Sequence, residues 1–376
     1  MGQIHEIALT IKPTLSCNMK CRHCFNGDKI NTHERIDKNE VIKFMELACR
    51  DYKDVKVTFH GGEPTLAGNE FYKQMFQVQH ELSNQYGASF SNNFTTNGLL
   101  LDEELADLLI ENDTLINVSF DGPYNHLLRG NSEKVYENIL MLKEKKARFR
   151  IFCTLSKGSC GHLQEIYNWF CERGLNFKTL PIEPRGYAAE ESSLLMDIDK
   201  FITDLLSVYR YWITDKACCV RYYTFEEFAA FRRGVQFKPF WFRREIALNP
   251  DGKLYPFGRP NDVNFCLGRP SEIKKIEDCF SSPEYTRMLN IINNYRRETC
   301  SMCDSCGTCN GVCYCISLMY VDNDDFLRYS CEKANKIFTN VLKINDEIRS
   351  DFQSGNYDKY NDTIKKMFLQ IGQNDC

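Results

Sequence analysis

Short apolar runs alternate with amphipathic stretches along the first half of the chain. Six runs rich in β-branched and aromatic residues predict strands at 7–11, 55–59, 89–95, 115–120, 148–155 and 176–182. The stretches between and after them have the apolar spacing of helices, with predicted starts near Asn39, Asn69, Asp102, Ser132, Gly161 and Asp197. Strands that alternate with helices predict repeated βα units and a parallel sheet, so the fold class is α/β.

Beyond residue 215 the pattern changes. Residues 240–260 predict a β-hairpin that turns at Asn249-Pro250-Asp251-Gly252, and 283–297 predict a helix. Residues 332–369 have helical spacing with mixed charge, which predicts a helix packed on the first half and a solvated end. We therefore expect three parts, at 1–215, 216–335 and 336–376.

Composition narrows the class of protein. The chain has 376 residues, of which 43% are hydrophobic and 26% charged, as in ordinary globular proteins. A net charge of -4 does not indicate a basic surface for binding nucleic acid. The sequence has neither an apolar run that could span a bilayer nor a signal peptide. We expect a cytoplasmic protein with no nucleic-acid or membrane partner. Its 19 cysteines then indicate metal or cluster ligation rather than disulfides.

Three of these cysteines, Cys17, Cys21 and Cys24, follow the first predicted strand. A [4Fe-4S] cluster is normally held by four Cys thiolates, so three leave one iron open to a small molecule. The alternatives are a zinc knuckle and three buried thiols. Zinc prefers four ligands, and His23, a sequence neighbour of two of them, is poorly placed to be the fourth.

This Cys-x-x-x-Cys-x-x-Cys loop, followed by the aromatic Phe25, resembles that of the radical S-adenosylmethionine (SAM) superfamily. The resemblance implies a partial (β/α)6 TIM-like barrel, a [4Fe-4S] cluster on the three cysteines, and SAM on the open iron. In that family one electron from the cluster cleaves SAM, and the 5'-deoxyadenosyl radical abstracts hydrogen from an unactivated carbon. The protein's part is to orient cofactor and substrate and to exclude water.

Other motifs of the family follow the strands, where ligands of parallel α/β folds bind. Gly61-Gly62-Glu63-Pro64 resembles the turn whose backbone and carboxylate hold the SAM ammonium group. Ser119 and Asp121 resemble a Ser-x-Asp-Gly-Pro segment near the ribose and amino-acid moieties, and Arg129 reaches the SAM carboxylate or is a solvated charge. The resemblance thus implies SAM contacts at Phe25, Gly61, Gly62, Glu63, Thr96, Asn97, Ser119, Asp121, Arg129 and Leu155.

The second half carries seven cysteines within 32 residues, Cys300, Cys303, Cys306, Cys309, Cys313, Cys315 and Cys331. Their spacing resembles the SPASM domain, which holds one or two auxiliary [4Fe-4S] clusters. That resemblance assigns one cluster to Cys300, Cys303, Cys309 and Cys331 and lets Cys313 reach across to a second one, for which Cys266 is a candidate further ligand. Zinc is the alternative. The hairpin cysteine that the family uses for another auxiliary cluster is absent, because Phe257 stands there.

Enzymes with this two-part plan act on peptides and proteins. Anaerobic sulfatase maturases oxidise Cys or Ser to formylglycine with a carboxylate after the hairpin cysteine, where this chain has Gly258. We therefore expect a peptide maturase that forms thioether or carbon–carbon crosslinks, with formylglycine formation as the alternative. Two alternative functions outside the enzymes are a non-catalytic electron-transfer protein and a zinc-binding adaptor. Expected partners are a peptide or protein substrate, such as a Cys-rich precursor peptide, a flavodoxin- or ferredoxin-type reductant, and a separate leader-recognition protein.

Overall fold

Six parallel strands form the first half of the chain, as the sequence predicts. The computed structural model describes residues 5–233, 235, 244–258, 263–303, 305–309 and 323–372. Each predicted strand is present within two residues of its expected bounds. The strands are β1 (Glu6–Ile11), β2 (Asp54–Phe59), β3 (Ser89–Thr96), β4 (Leu115–Ser119), β5 (Phe149–Leu155) and β6 (Phe177–Pro181).

Helices connect and cover these strands, and the predicted helix starts are also confirmed. Asp37, Asp102 and Asp197 each accept a hydrogen bond from a backbone N–H of the first helical turn, which explains where three of the helices begin. The helices are α1 (Lys38–Asp51), α2 (Asn69–Tyr86), α3 (Glu103–Glu111), α4 (Asn125–Leu128), α5 (Ser132–Glu144), α6 (Leu163–Glu172), α7 (Tyr187–Glu190), α8 (Ile198–Trp212) and α9 (Tyr223–Ala229).

The predicted hairpin is present as β7 (Glu245–Leu248) and β8 (Leu254–Pro256), and it joins the sheet of the first half. β7 pairs parallel with β1 and antiparallel with β8. The strand order of the eight-stranded sheet is therefore β6-β5-β4-β3-β2-β1-β7-β8. The sequence indicated a hairpin but not its partner, because strand pairing between distant segments leaves no local pattern.

The sheet has an apolar face covered by helices. Phe59 of β2 pairs in register with Phe94 of β3, and both rings lie within 5.2 Å of the ring centre of Tyr72 on α2. All three side chains are fully buried. Burial of each such ring stabilises the fold by about 1.5–3 kcal/mol, so this face is the main hydrophobic core.

The opposite face of the sheet, which we term the inner face, is polar. Side chains alternate along a strand, so the neighbours of the core residues point away from the helices. Thr10, Thr58 and Asn93 occupy one register row on this face. Glu245 of β7 is paired with Ala8 and belongs to the same face. A polar inner face is suited to hold a ligand rather than to pack as core.

The C-terminal part is helical. Its helices are α10 (Glu277–Phe280), α11 (Pro283–Glu298), α12 (Cys306–Cys309), α13 (Asp324–Gln353) and α14 (Asp362–Gly372). α13 packs on the first half through a buried 2.8 Å hydrogen bond from Tyr209 to Asn345. The prediction of a solvated end is wrong, because Ile364 and Phe368 of α14 are buried.

The predicted boundary after residue 335 falls inside α13, and the division into three domains stays a prediction. In the part of the chain that the structure describes, no helix is both long enough and apolar enough to cross a membrane.

Candidate active site

The loop with Cys17, Cys21 and Cys24 lies directly after β1, and all three side chains are half-buried. Burial raises the pKa of all three thiols, that of Cys17 to about 11. The charges of Cys21 and Cys24 raise the pKa of Cys17 further, so the three sulfur atoms lie near one another. The structure thus brings the predicted cluster ligands together.

Gly61 and Gly62 pack against the backbone that leads into this loop. A Cβ atom at Gly61 would lie 2.2 Å from the Thr14 carbonyl oxygen, and one at Gly62 would lie 2.1 Å from that of Leu15. The N–H of Gly62 donates to the Thr14 carbonyl at 3.0 Å. The two glycines are therefore needed so that the turn after β2 can hold the cysteine loop in place.

The segment after β6 holds the same loop from its other end. A Cβ atom at Gly186 would lie 2.2 Å from the carbonyl oxygen of Cys24, and Gly186 has a positive φ of 52°. The next residue, Tyr187, donates its backbone N–H to that oxygen at 3.0 Å. Sequence reasoning missed this contact, because a single glycine after a strand has many ordinary explanations.

Glu63 is fully buried and its carboxylate is occupied by donors of the protein itself. Oε1 accepts hydrogen bonds from Thr96 Oγ1 at 2.7 Å and from the Thr65 N–H at 3.1 Å, and Oε2 accepts from the Asn97 N–H at 2.7 Å. Burial raises the pKa of Glu63, and these donors oppose the rise. The carboxylate therefore positions the turn, and the backbone of the turn remains to meet a ligand.

Asn97 connects the end of β3 to the cysteine loop. Its Nδ2 donates to Asn18 Oδ1 at 2.7 Å and approaches the sulfur of Cys17 at 3.7 Å. An N–H group directed at a ligating thiolate is one of the means by which proteins tune the potential of a cluster. Asn97, one of the predicted SAM contacts, thus lies beside the cysteine loop.

Asp121 and Arg129 form a buried ion pair with a 2.8 Å contact. Arg129 also donates to Thr154 Oγ1 at 3.0 Å and approaches the sulfur of Cys21 at 4.0 Å. Burial raises the pKa of Asp121, and the Arg129 guanidinium opposes that rise. Arg129 is therefore not a solvated charge, because it connects the predicted SAM pocket to the cysteine loop.

The other predicted SAM contacts differ in how far their side chains are exposed. Phe25 is 37% exposed and contacts the ring of His60 edge to face at 5.9 Å. Ser119 is half-buried at the end of β4. Leu155 is fully buried in the hydrophobic core, and its neighbour Thr154 is the residue that faces Asp121 and Arg129.

Two buried hydrogen-bond donors beside the cysteine loop indicate whether an iron–sulfur cluster fits there. Asn18 Nδ2 and His23 Nδ1 have no hydrogen-bond partner among the described residues. Arg129 can only donate to His23 Nε2, at 3.2 Å, so the ring proton is on Nδ1. Burial, with Arg129 second, lowers the pKa of His23 well below its usual value and keeps the ring neutral. Donors without acceptors beside three thiols fit an anionic cluster with sulfide acceptors.

The described residues do not form a site for a single metal ion. Across the described ranges, no three His, Cys, Asp or Glu side chains converge as one ion requires. A tetrahedral zinc ion would draw its sulfur ligands to about 2.3 Å from one point, whereas a cubane separates its thiolates onto different irons.

A second group of polar residues near the site was not predicted. Lys12, the residue after β1, is buried, and burial, with the charges of Arg185 and Lys29, lowers its pKa to about 7. Glu245 opposes that shift. Thr10 and Lys12 alternate with the apolar residues Leu9 and Ile11 just before the cysteine loop. This alternation is the sequence signal that could have revealed the polar group.

The predicted auxiliary ligands Cys300, Cys303, Cys309 and Cys331 lie together. The charges of the other three raise the pKa of Cys303, after the larger effect of burial. Asn335, one turn after Cys331 on α13, accepts from Ser305 at 2.5 Å and contacts the sulfur of Cys303 at 3.7 Å. The helix thus carries one of the predicted ligands, Cys331, and a side chain, Asn335, that contacts the loop of the others.

Of the two residues predicted for a second auxiliary cluster, the structure describes Cys266. Cys313 lies outside the described residues. Cys266 is half-buried and precedes Leu267, whose N–H bonds the Leu254 carbonyl of the hairpin at 2.8 Å.

Comparison with known proteins supports this geometry. Residues 11–169 match the Radical SAM superfamily. The chain is 26% identical over 357 residues to a cysteine-type anaerobic sulfatase-maturating enzyme of Clostridium perfringens, covering 88% of this chain and 95% of that one. It is 27% identical over 171 residues to a serine-type enzyme of Bacteroides thetaiotaomicron, covering 42% and 41%.

Solved structures share the fold. Native anSMEcpe with bound AdoMet and the Cp18Cys peptide has a TM-score of 0.75 and 21% identity, covering 91% of this chain and 99% of that one. SuiB of Streptococcus suis bound to S-adenosylmethionine has a TM-score of 0.57 and 17% identity, covering 76% and 68%. Residues 11–169 therefore form a radical SAM domain, and the chain as a whole resembles the anaerobic sulfatase-maturating enzymes.

Proposed function

We propose that this radical SAM enzyme removes a hydrogen atom from a side chain of a peptide or protein substrate. The observation that carries the proposal is the cysteine loop with its two unpartnered buried donors, Asn18 and His23. Cys17, Cys21 and Cys24 would hold a [4Fe-4S] cluster with SAM on its open iron. When bound, these groups supply an electron and a 5'-deoxyadenosyl radical that abstracts hydrogen.

The residues of the chain orient and enclose this chemistry. Gly62 and Gly186 hold the two ends of the cysteine loop, and the Asp121–Arg129 pair connects the loop to the ends of β4 and β5. The backbone of residues 61–63, with Asn97 and Ser119, would bind the amino-acid part and the ribose of SAM. A fixed arrangement of this kind lowers the barrier because radical and substrate carbon are held in contact.

The product that we propose is an oxidised Cys or Ser side chain, as the name of the sulfatase-maturating relatives suggests. Support comes from a likeness that covers 95% of the Clostridium perfringens enzyme. Crosslinking within a peptide is the second candidate, favoured by Phe257 and Gly258, which stand where the maturases have a cysteine and a carboxylate. Both products require the removal of two hydrogens in total, so both need a second electron acceptor.

The group of Cys300, Cys303, Cys309 and Cys331 would hold an auxiliary [4Fe-4S] cluster that accepts this electron. Cys313 and Cys266 are proposed for a second cluster. A flavodoxin- or ferredoxin-type reductant, a cytoplasmic location and, for a precursor peptide, a separate leader-recognition protein complete the proposal.

An anaerobic reaction of reconstituted enzyme, reductant and SAM tests it. The probes are the Cp18Cys peptide and its Ser counterpart, each deuterated at the reacting Cβ. Deuterium in 5'-deoxyadenosine together with an aldehyde that a hydrazide traps would establish side-chain oxidation. Loss of two hydrogens with no aldehyde would establish a crosslink instead. Cys21→Ala should abolish 5'-deoxyadenosine, whereas Cys49→Ala, at a buried cysteine outside the loop, should not; deoxyadenosine from Cys21→Ala would refute the cluster assignment.

A further inference from the structure

Two cysteines outside the cluster groups lie on neighbouring elements of the first half of the chain. Cys171 is in the last turn of α6, and Cys218 is in the segment between α8 and α9. Both are half-buried, and neither forms a disulfide. The thiol of Cys171 donates a hydrogen bond to the sulfur of Cys218, so the two side chains are in direct contact.

Tyr167 attaches the segment of Cys218 to α6. It lies one turn before Cys171, and residues four positions apart share one side of a helix. Its hydroxyl donates to Asp215 Oδ2 at 2.7 Å, and the Cys218 N–H donates to the carbonyl oxygen of Asp215 at 3.4 Å. The turn that carries Cys218 is therefore held against the side of α6 that carries Cys171.

The hydrogen bonds of the two thiols make them chemically different. In its thiol form Cys218 donates to the Val220 carbonyl oxygen at 3.3 Å, which leaves the lone pairs of its sulfur for Cys171. The hydrogen bond between the two cysteines raises the pKa of Cys171 and lowers that of Cys218. Cys218 therefore ionises first, and the thiolate is the reactive form of a cysteine.

Neighbouring cysteines are placed differently. Cys153 and Cys279 are buried, Cys219 is exposed, and Cys160 precedes α6 at the end of that helix opposite to Cys171. A half-buried thiol of lowered pKa beside a second thiol is the arrangement of redox-active pairs, in which one sulfur attacks and the other resolves.

We propose that Cys171 and Cys218 form a redox-active dithiol that a low-molecular-weight disulfide, such as oxidised glutathione, converts into an intramolecular disulfide. The Cys218 thiolate attacks one sulfur of glutathione disulfide, breaks its S–S bond and releases one glutathione thiolate. The Cys171 sulfur then attacks the mixed disulfide and releases the second glutathione. The two thiol protons of the protein leave with the two glutathione molecules, so the protein loses two electrons and glutathione disulfide gains them.

This disulfide would fix a segment at one border of the sheet. β6 is the first strand in the order of the sheet, and the N–H of its Phe177 donates to the Arg221 carbonyl oxygen at 3.0 Å. Cys218 lies three residues before Arg221, so the crosslink would attach the segment beside β6 to α6. The oxidation is separate from the proposed hydrogen abstraction and involves none of the proposed cluster ligands.

Peptide mapping of the anaerobic holoenzyme tests the proposal. The enzyme is incubated with oxidised glutathione, its free thiols are blocked with N-ethylmaleimide in acid, and the unfolded chain is digested with trypsin. Residues 158–173 and 217–221 are two tryptic peptides, because each follows a lysine and ends in an arginine. We expect them to be recovered joined, with a mass two hydrogens below their sum, while the visible absorption of the clusters is unchanged.

Four variants identify the sulfur atoms, because each of these peptides contains a second cysteine. Cys160→Ser and Cys219→Ser are the matched controls and should keep the joined peptides. Cys171→Ser and Cys218→Ser should lose them. In Cys171→Ser, peptide 217–221 should instead carry one glutathione, since the attacking thiol remains and the resolving thiol is absent.

Three outcomes would overturn the proposal. The first is a wild-type enzyme whose two peptides carry only N-ethylmaleimide or glutathione. The second is a crosslink that persists in Cys171→Ser or Cys218→Ser. The third is a crosslink that disappears in Cys160→Ser or Cys219→Ser, since a different pair of sulfur atoms would then form the disulfide.

Discussion

The hydroxyl of Thr96 donates a 2.7 Å hydrogen bond to Glu63 Oε1, and this bond joins the end of β3 to the turn after β2. The same turn holds the backbone of the cysteine loop through Gly62. The residues of two separate motifs are therefore coupled to the loop through one buried carboxylate.

Glu63→Gln should weaken both stability and SAM binding. The amide has one acceptor oxygen where the carboxylate offers two, so the backbone N–H of either Thr65 or Asn97 loses its partner, whereas the Thr96 hydroxyl can also accept from the amide. Hydrogen bonds to a charged group contribute about 1.5–3 kcal/mol each, and we expect a loss of about 2 kcal/mol in unfolding free energy. Denaturant unfolding and equilibrium SAM binding measure the two effects. Glu104→Gln, at an exposed acid, should change neither, and an unaltered Glu63→Gln would contradict the positioning role.

Gly186→Ala should reduce the iron that the enzyme retains. The new Cβ would collide with the carbonyl of Cys24 at 2.2 Å, so the backbone of the cysteine loop must shift. Gly355→Ala is the matched control, because Gly355 has a positive φ of 78° and no neighbouring heavy atom within 4 Å of the new Cβ. Both variants carry backbone strain of about 1–2 kcal/mol, and only Gly186→Ala should lose iron and acid-labile sulfide. Equal iron in both would mean that the contact does not position the loop.

Lys12→Met should remove part of the pH dependence of stability. The pKa of Lys12 is about 7 in the folded chain because of burial and the charges of Arg185 and Lys29, against an ordinary value of 10.5. Between these values the unfolded chain binds the proton and the folded chain does not, so stability rises with pH across that window.

At or below pH 7 the buried ammonium opposes folding, by as much as ~5 kcal/mol. The variant should therefore be more stable than the wild type near pH 7, and the difference should shrink toward pH 10. Urea midpoints of the anaerobic holoenzyme, with Lys134→Met as an exposed control, measure it. A constant difference across the range would be inconsistent with a neutral buried Lys12.

Cys309→Ala should lower the iron content by about one four-iron cluster. Cys309 is buried in the group with Cys300, Cys303 and Cys331, and loss of one ligand opens that cluster. Cys279→Ala is the control, because Cys279 is equally buried but lies on α10 outside the group. Iron analysis and the visible absorption spectrum distinguish the two. Unchanged iron in Cys309→Ala would reject this ligand set.

The sequence predicted the elements of this fold well because their signals are local. β1 to β6 and the starts of their helices follow from apolar periodicity and caps such as Asp102 and Asp197. The pairing of β7 with β1 could not be predicted in this way, because it depends on residues far apart in the chain. The burial of α14 was missed because Ile364 and Phe368 stand among many charges.

The sequence identified many residues of the candidate site correctly, but it was less reliable about what each of them does. Spacing and resemblance found Cys17, Glu63, Asp121 and Arg129, which do lie together. The resemblance gave Glu63 a direct role at the ammonium group, whereas three protein donors already surround its carboxylate. Glu245 left no motif, since its place beside Thr10 arises only from the register of β7 on β1.

The pairing of β7 with β1 also bears on the order in which the enzyme is built. Thr10 and Glu245 are 235 positions apart. During synthesis on the ribosome, β1 therefore cannot pair with β7 until most of the chain has emerged. Such distant contacts form late because a long loop must close first. Until then, the strand that leads into Cys17 has one unpaired edge. We therefore expect the apoprotein to acquire its iron after synthesis has passed the hairpin, and nascent chains shorter than this to aggregate rather than to assemble a cluster.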